Sequence, residues 1–181
     1  MIKKQLIILI TSLMILTPVK GQKDNPQTIT YNAIGYFRTP YTPETRAPRQ
    51  GILKPDVKAR IEILPKYREA LQSLELFEYI IVIYHFDKSE GWHPVTRPPV
   101  SNPRYTFGLF ATRSPNRPNP VGIAAVKLEK IEDGILHISG TDAFDGTPVI
   151  DIKPYLPSID AIDSPQNSLL EKELGLPGKT K

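Results

Sequence analysis

The 181-residue chain contains no cysteine, which removes a disulfide framework, a thiolate zinc site and a cysteine nucleophile from consideration. Common nucleotide and hydrolase signatures are also missing. No G-x-G-x-x-G follows a strand, no Walker-type loop occurs, and neither H-E-x-x-H nor G-x-S-x-G is present. Histidine is scarce: His85, His93 and His137 stand far apart without carboxylate companions at ligand spacing, so no metal site is expected. No internal repeat is visible, and the one long apolar run is too short to span a bilayer of roughly 30 Å comfortably.

Proline, by contrast, is abundant. The 19 prolines against 11 glycines are about twice the usual proline share, which disfavours long helices and favours strands joined by stiff turns. With 40% hydrophobic residues the chain can bury one compact core, and its length favours a single domain.

The N-terminus has its own pattern. Lys3 and Lys4 precede an apolar run from Leu6 to Leu16 broken only by Thr11 and Ser12, followed by Pro18 and the small residues Val19 and Gly21. This is the layout of a signal peptide. Residues 1–21 are therefore expected to be one, cleaved near Gly21 and Gln22, with 22–28 as a linker, 29–160 as the domain and 161–181 as a tail. An uncleaved anchor, or a start at Met14, are the alternatives. Export to the periplasm or beyond follows from the first reading, with no membrane span after cleavage; a Met14 start leaves the protein cytoplasmic. Lys3, Lys4 and Lys20 belong to this segment, which holds no acid, so 20 basic residues then face 19 acidic ones. The whole-chain pI near 9.2 is accordingly poor support for a polyanionic partner.

Within 29–160 the pattern is β-dominated. Ile34 to Arg38 reads as a strand stopped by Thr39-Pro40. Arg60 to Leu64 alternates, with Ile61 and Ile63 on one face. Tyr67, Ala70, Leu71 and Leu74 after Pro65 fall at i, i+3, i+4 and i+7 and predict a helix. Tyr79 to Phe86 is almost continuously apolar, the pattern of a strand covered on both faces. Phe107 to Ala111 reads as a short strand inside a proline-rich stretch from Trp92 to Pro120. Gly122 to Ile131 and Ile135 to Gly140 flank Glu132-Asp133-Gly134, a strong hairpin signal. Val149 to Ile152 makes a last strand, and Ser168 to Leu174 a possible short helix in the tail. The sum is a mainly β fold, a small barrel or sandwich with one short helix and proline-rich loops.

Two clusters carry chemical potential. In the run from Phe110 to Gly122, prolines fix φ and hold Arg113 and Arg117 on a stiff loop that loses little entropy on binding. A guanidinium there can clamp a carboxylate or phosphate through two parallel hydrogen bonds, or merely pair with acids at the edge of the core. In the run from Asp142 to Tyr155, Asp145-Gly146 reads as a tight turn, and Asp142 beside it can hold a ribose hydroxyl or a cation, or cap a turn.

These stretches bring a family into view. Ile34-Gly35 with Arg38-Thr39-Pro40-Tyr41, Pro48-Arg49-Gln50, Trp92 with Arg97-Pro98-Pro99, Ala111-Thr112-Arg113-Ser114 through Arg117-Pro118-Asn119-Pro120-Val121-Gly122, and Asp145-Gly146-Thr147-Pro148 through Asp151-Ile152-Lys153-Pro154-Tyr155 occur in one order. In that order the chain resembles the TrmO/TsaA family of S-adenosylmethionine-dependent tRNA methyltransferases over roughly residues 34–155. The resemblance implies a small TsaA-like β-barrel that forms a homodimer and holds S-adenosylmethionine near the subunit interface without a Rossmann domain. It implies Pro48, Arg49, Gln50, His85, Phe86, Arg113, Asp145, Gly146, Thr147 and Pro148 as the cofactor-binding set, and tRNA as the partner. The implied reaction moves the sulfonium methyl to N6 of threonylcarbamoyladenosine in tRNA. Asp145, then Tyr155, are the first groups to consider as a base, though no motif identifies a catalytic residue. The alternative is an exported TsaA-like module that binds a nucleoside-like or anionic small molecule without methyl transfer.

Overall fold

A computed structural model describes residues 27–97 and 106–162. The expected signal peptide, most of the linker, Pro98, Pro99 and the Ser168–Leu174 segment lie outside the described residues. The compact unit begins at Tyr31. Its elements in chain order are β1 (Gly35–Arg38), β2 (Lys58–Ile63), β3 (Tyr79–His85), β4 (Val95–Thr96), β5 (Phe107–Gly108), β6 (Val121–Glu132), β7 (Ile135–Ser139), β8 (Pro148–Pro154) and a single α-helical turn, α1 (Pro157–Asp160).

Six strands close into a barrel in the order β1-β2-β7-β6-β3-β8, with β8 returning to pair with β1. Neighbours run antiparallel throughout. Closure leaves no unpaired edge, a sound arrangement for strands as apolar as β3 and β6. The β4–β5 pair is a separate two-stranded ribbon.

Period-two alternation sends Ala59, Ile61 and Ile63 of β2, Ile80, Val82 and Tyr84 of β3, and Leu136 and Ile138 of β7 into the barrel, where they meet Phe37, Val126 and Val149. Each fully buried aliphatic or aromatic side chain here contributes about 1.5–3 kcal/mol. The other face of β3 is less covered than its composition predicts, because Ile81, Ile83 and His85 are only half-buried. The hairpin between β6 and β7 follows its sequence signal: Asp133 and Gly134 take φ of +51° and +78°, the pair of left-handed residues that a type I′ turn requires. Bulges at Glu129 in β6 and Ile150 in β8 break the register and bend those strands around the barrel.

The helix expected after Pro65 is not an α-helix. Pro65–Leu71 forms a 3-10 helix, followed by a second 3-10 turn at Leu74–Leu76. Gln72 leaves the helical region (φ −52°, ψ 129°) and Ser73 is left-handed at φ +67°, so the apolar residues are brought to the barrel by a broken connection. Tyr67, Leu71 and Leu74 still pack on the core, which is what their spacing encodes. A segment this short has little helical stability of its own, and the strand ends it must join set its path. Phe107–Ala111 likewise splits into β5 and a 3-10 turn, Leu109–Ala111.

Candidate active site

Tyr84 links the core to a cavity. Its ring packs edge-on against Phe37 at 5.5 Å on the inner side and against Phe86 at 5.2 Å on the outer side. Tyr84 and Phe86 share a face two residues apart, so the alternation that buries one aims the other into the cavity and sends His85 to the opposite face. Gly122, buried on the facing strand, leaves room for both rings: a Cβ there would stand 2.5 Å from Tyr84 Cζ and 2.9 Å from Phe86 Cζ.

The cavity holds about 530 Å³ and draws its walls from separate stretches of chain: the loop Arg46–Gln50, the ends of β3 and β6, the proline loop from Thr112 to Arg117, and Asp142 to Thr147 excluding Asp145 and Gly146. Its volume lies in the range of small-molecule and cofactor sites.

The two arginines of the proline loop have different tasks. Arg117 turns inward on its own loop, donating from Nη1 to the Thr112 carbonyl at 2.9 Å while its guanidinium lies 5.6 Å from the Phe110 ring. It braces the loop. Arg113 instead reaches outward, and its Nη1 donates to Oε1 of Gln50 at 2.6 Å, tying the proline loop to the Pro48-Arg49-Gln50 segment. That leaves other donors of a planar fork available at the cavity.

Beneath them sits Asp142. Thr141 is fully buried, and its hydroxyl accepts the Ala143 N–H at 3.2 Å, a local turn that presents the intervening aspartate. The Tyr84 hydroxyl donates to Asp142 Oδ1 at 3.1 Å. Burial pushes the Asp142 carboxyl above the usual aspartate range, while the Tyr84 hydrogen bond and the Arg113 charge act in the opposite direction. The same burial and the Asp142 charge push the Tyr84 phenol well above its ordinary value. Tyr41, 7% exposed, responds to burial and to Asp142 in the same sense, and its hydroxyl oxygen is buried with no hydrogen-bond partner among the described residues.

Of the residues singled out in the sequence, Pro48, Arg49, Gln50, Phe86, Arg113 and Thr147 line this one cavity. His85, Asp145, Gly146 and Pro148 do not. Asp145 lines a more open groove on the barrel wall with Arg38, Thr39, Lys58, Arg60, Lys130 and His137. Its backbone N–H is tied to the Tyr41 carbonyl at 2.8 Å and its Oδ1 accepts the Thr39 N–H at 3.1 Å, which holds its carboxylate at Thr39 and not in the Arg113 cavity, although Phe144 and Thr147 on either side of it line that cavity. Gly146 (φ +78°) donates to the Phe37 carbonyl, and Pro148 opens β8 opposite Tyr36. Tyr155 packs edge-on against Tyr79, 6.4 Å away, and is not among the cavity-lining residues. The aspartate that faces Arg113 is Asp142. Tyr84 and Phe144 complete the wall; Tyr84 is hidden in the sequence because it stands inside an apolar run that reads as core. Among the described residues no group of three or more His, Cys, Asp and Glu side chains is placed to hold a metal ion, and no helix is long and apolar enough to cross a membrane.

Comparison with known proteins bears on the family and the fold. The model of the tRNA-methyltransferase O N-terminal domain matches residues 36–161. An S-adenosyl-L-methionine-binding protein of Archaeoglobus fulgidus is 38% identical over 130 residues, covering 72% of this chain and 91% of that protein. The tRNA (adenine(37)-N6)-methyltransferase of Escherichia coli is 36% identical over 140 residues, 73% of this chain and 60% of that protein. The crystal structure of TrmO from Pseudomonas aeruginosa superposes with a TM-score of 0.64 at 35% identity, covering 77% of this chain and 60% of that one. The chain thus spans nearly all of the archaeal protein and three-fifths of the two bacterial ones. Closed barrel, proline loop and matched domain agree, and the chain belongs to the TrmO/TsaA family defined by the tRNA-methyltransferase O N-terminal domain.

Proposed function

We propose that the cavity binds S-adenosylmethionine and that the chain transfers its methyl group to N6 of adenosine 37 in tRNA, with threonylcarbamoyladenosine as the nucleoside modified. The observation that carries this reading is the convergence of Gln50, Arg113 and Asp142 on one partly apolar cavity. The donor set suits the cofactor. Arg113, steadied by Gln50, would take the methionine carboxylate, and the rings of Phe86 and Phe144 offer apolar faces to the adenine. When bound, the cofactor supplies an electrophilic methyl on a positively charged sulfur. The protein's share is then to hold donor and nucleophile in line at about 3–3.5 Å and to keep water out.

Homodimerisation is part of the same proposal. Val121, 41% exposed, and Ile123, 56% exposed, run from the rim of the cavity onto the outer face of the β3–β6 pair, beside half-buried Ile81 and Ile83. A second copy covering that apolar face would also close the cavity mouth.

Isothermal calorimetry tests the cofactor. Purified protein is expected to bind S-adenosylmethionine and its demethylated product with one site per chain. A folded protein that releases no heat with either would return the cavity to the alternative of a binding module for another small molecule.

A further inference from the structure

We propose that Asp142 is the general base that takes the proton from the exocyclic nitrogen as the methyl group arrives; this rests on the methyltransferase reading above. Among the described residues that line the cavity, the carboxylates are Asp87 and Asp142, and no histidine is present. Asp87 is occupied by Lys88, whose Nζ lies 3.0 Å from its Oδ2. Asp142 has no ion pair among the described residues, and it is the carboxylate joined to the floor of the site through the Tyr84 hydroxyl at 3.1 Å. Tyr84 itself is excluded as a base, since burial and the neighbouring carboxylate keep its phenol protonated.

The step balances simply. The N6 electron pair forms the new N–C bond, the C–S bond breaks with its pair going to sulfur, and the N6 proton passes to a carboxylate oxygen of Asp142. Sulfonium becomes neutral thioether, and carboxylate becomes carboxylic acid. Tyr84 is a positioning residue here: its hydrogen bond to Oδ1 orients the carboxylate that takes the proton.

Several groups set the protonation of Asp142. Tyr84 from β3, Arg113 from the proline loop and Tyr41 beyond β1 interact with it directly or through charge. The remaining charged members of the cavity wall are Arg46, Arg49, Asp87, Lys88 and Arg117. A carboxylate whose protonation is favoured by burial is a better proton acceptor than a solvated one, provided that the working pH lies above its pKa. The rate should therefore fall on the acid side as Asp142 takes up a proton.

The test is single-turnover methylation of tRNA bearing threonylcarbamoyladenosine, followed against pH with the unsubstituted full-length protein, Asp142→Asn and Tyr84→Phe. Asp142→Asn keeps an acceptor for the Tyr84 hydroxyl. It is expected to lower the rate by about 10²- to 10⁴-fold, to leave the KM for S-adenosylmethionine unchanged, and to abolish the acid limb. Tyr84→Phe keeps the ring contacts and removes the hydrogen bond that favours the charged carboxylate, so the acid limb is expected to move to higher pH. A purely structural tyrosine would not move it. The proposal is overturned by an Asp142→Asn rate within a few-fold of the unsubstituted protein, or by a raised KM with kcat retained, which would make Asp142 a ligand to the cofactor. Should Asp142→Asn fail to fold, an unshifted limb in Tyr84→Phe overturns it equally. Loss confined to the variants separates this proposal from its parent reading, which fails only if the unsubstituted protein shows no turnover.

Discussion

Replacing Arg113 by glutamine separates binding from folding at the cavity. Arg113 is exposed, and among the described residues its side chain is tied to the fold by a hydrogen bond to Gln50 Oε1 at 2.6 Å. Surface replacements of this kind change stability by about 0.5 kcal/mol or less, so the melting temperature should barely move. A charge-assisted hydrogen bond to a carboxylate is worth about 1.5–3 kcal/mol, which corresponds to roughly 10- to 150-fold in the dissociation constant. Calorimetry with two ligands reads this directly. S-adenosylmethionine carries the carboxylate, whereas 5′-methylthioadenosine has the same nucleoside without it. The variant should weaken the first by that factor and leave the second unchanged. Equal losses for both ligands would mean that Arg113 acts through the shape of the loop, and no loss for either would remove it from the site. Raising the salt concentration should shrink the difference, because an exposed charge is screened over about 8–10 Å.

Further outcomes follow from particular contacts. Gly122→Ala places a methyl group 2.5 Å from Tyr84 Cζ; overpacking of this kind costs about 1–3 kcal/mol, visible as a lower melting temperature together with weaker cofactor binding. Ile123→Glu puts a charge on the exposed apolar face beside the cavity, and analytical ultracentrifugation should then find monomer where the unsubstituted protein sediments as a dimer. For Asp142→Asn the stability difference depends on pH. Burial raises the folded-state pKa of Asp142, so the stability linked to its neutral form is complete below the ordinary aspartate value of 3.8 and is lost as pH rises through the folded pKa. The asparagine variant does not pay that cost. Without ligand its melting temperature should match the unsubstituted protein at low pH and exceed it at neutral pH, and the opposite order at neutral pH would contradict the burial argument.

Much of the barrel was legible because its signals are local. The Asp133-Gly134 turn and the alternation in β2 demand little from the rest of the chain, and each appears where the sequence predicts it. The helix after Pro65 failed for the opposite reason. Its apolar spacing reports which side chains face the barrel, and the backbone that delivers them is set by the strand ends it connects. At the site, the stiffness of the proline loop was readable, but the division of labour between Arg113 and Arg117 depends on which carbonyls lie within reach of each guanidinium. From sequence Asp145 ranks first, because Asp142 and Asp145 stand beside the same turn and only the second belongs to the Asp145-Gly146-Thr147-Pro148 motif. The choice is made by Thr141, which presents one to Tyr84, and by Thr39, which holds the other on the barrel wall.

The measurement closest to the central claim is mass spectrometry of nucleosides from tRNA incubated with the purified protein and S-adenosylmethionine. N6-methylated threonylcarbamoyladenosine should accumulate at position 37 with the unsubstituted protein and fall sharply with Arg113→Gln at limiting cofactor. A folded, cofactor-binding protein that leaves the nucleoside unmethylated would contradict the assignment.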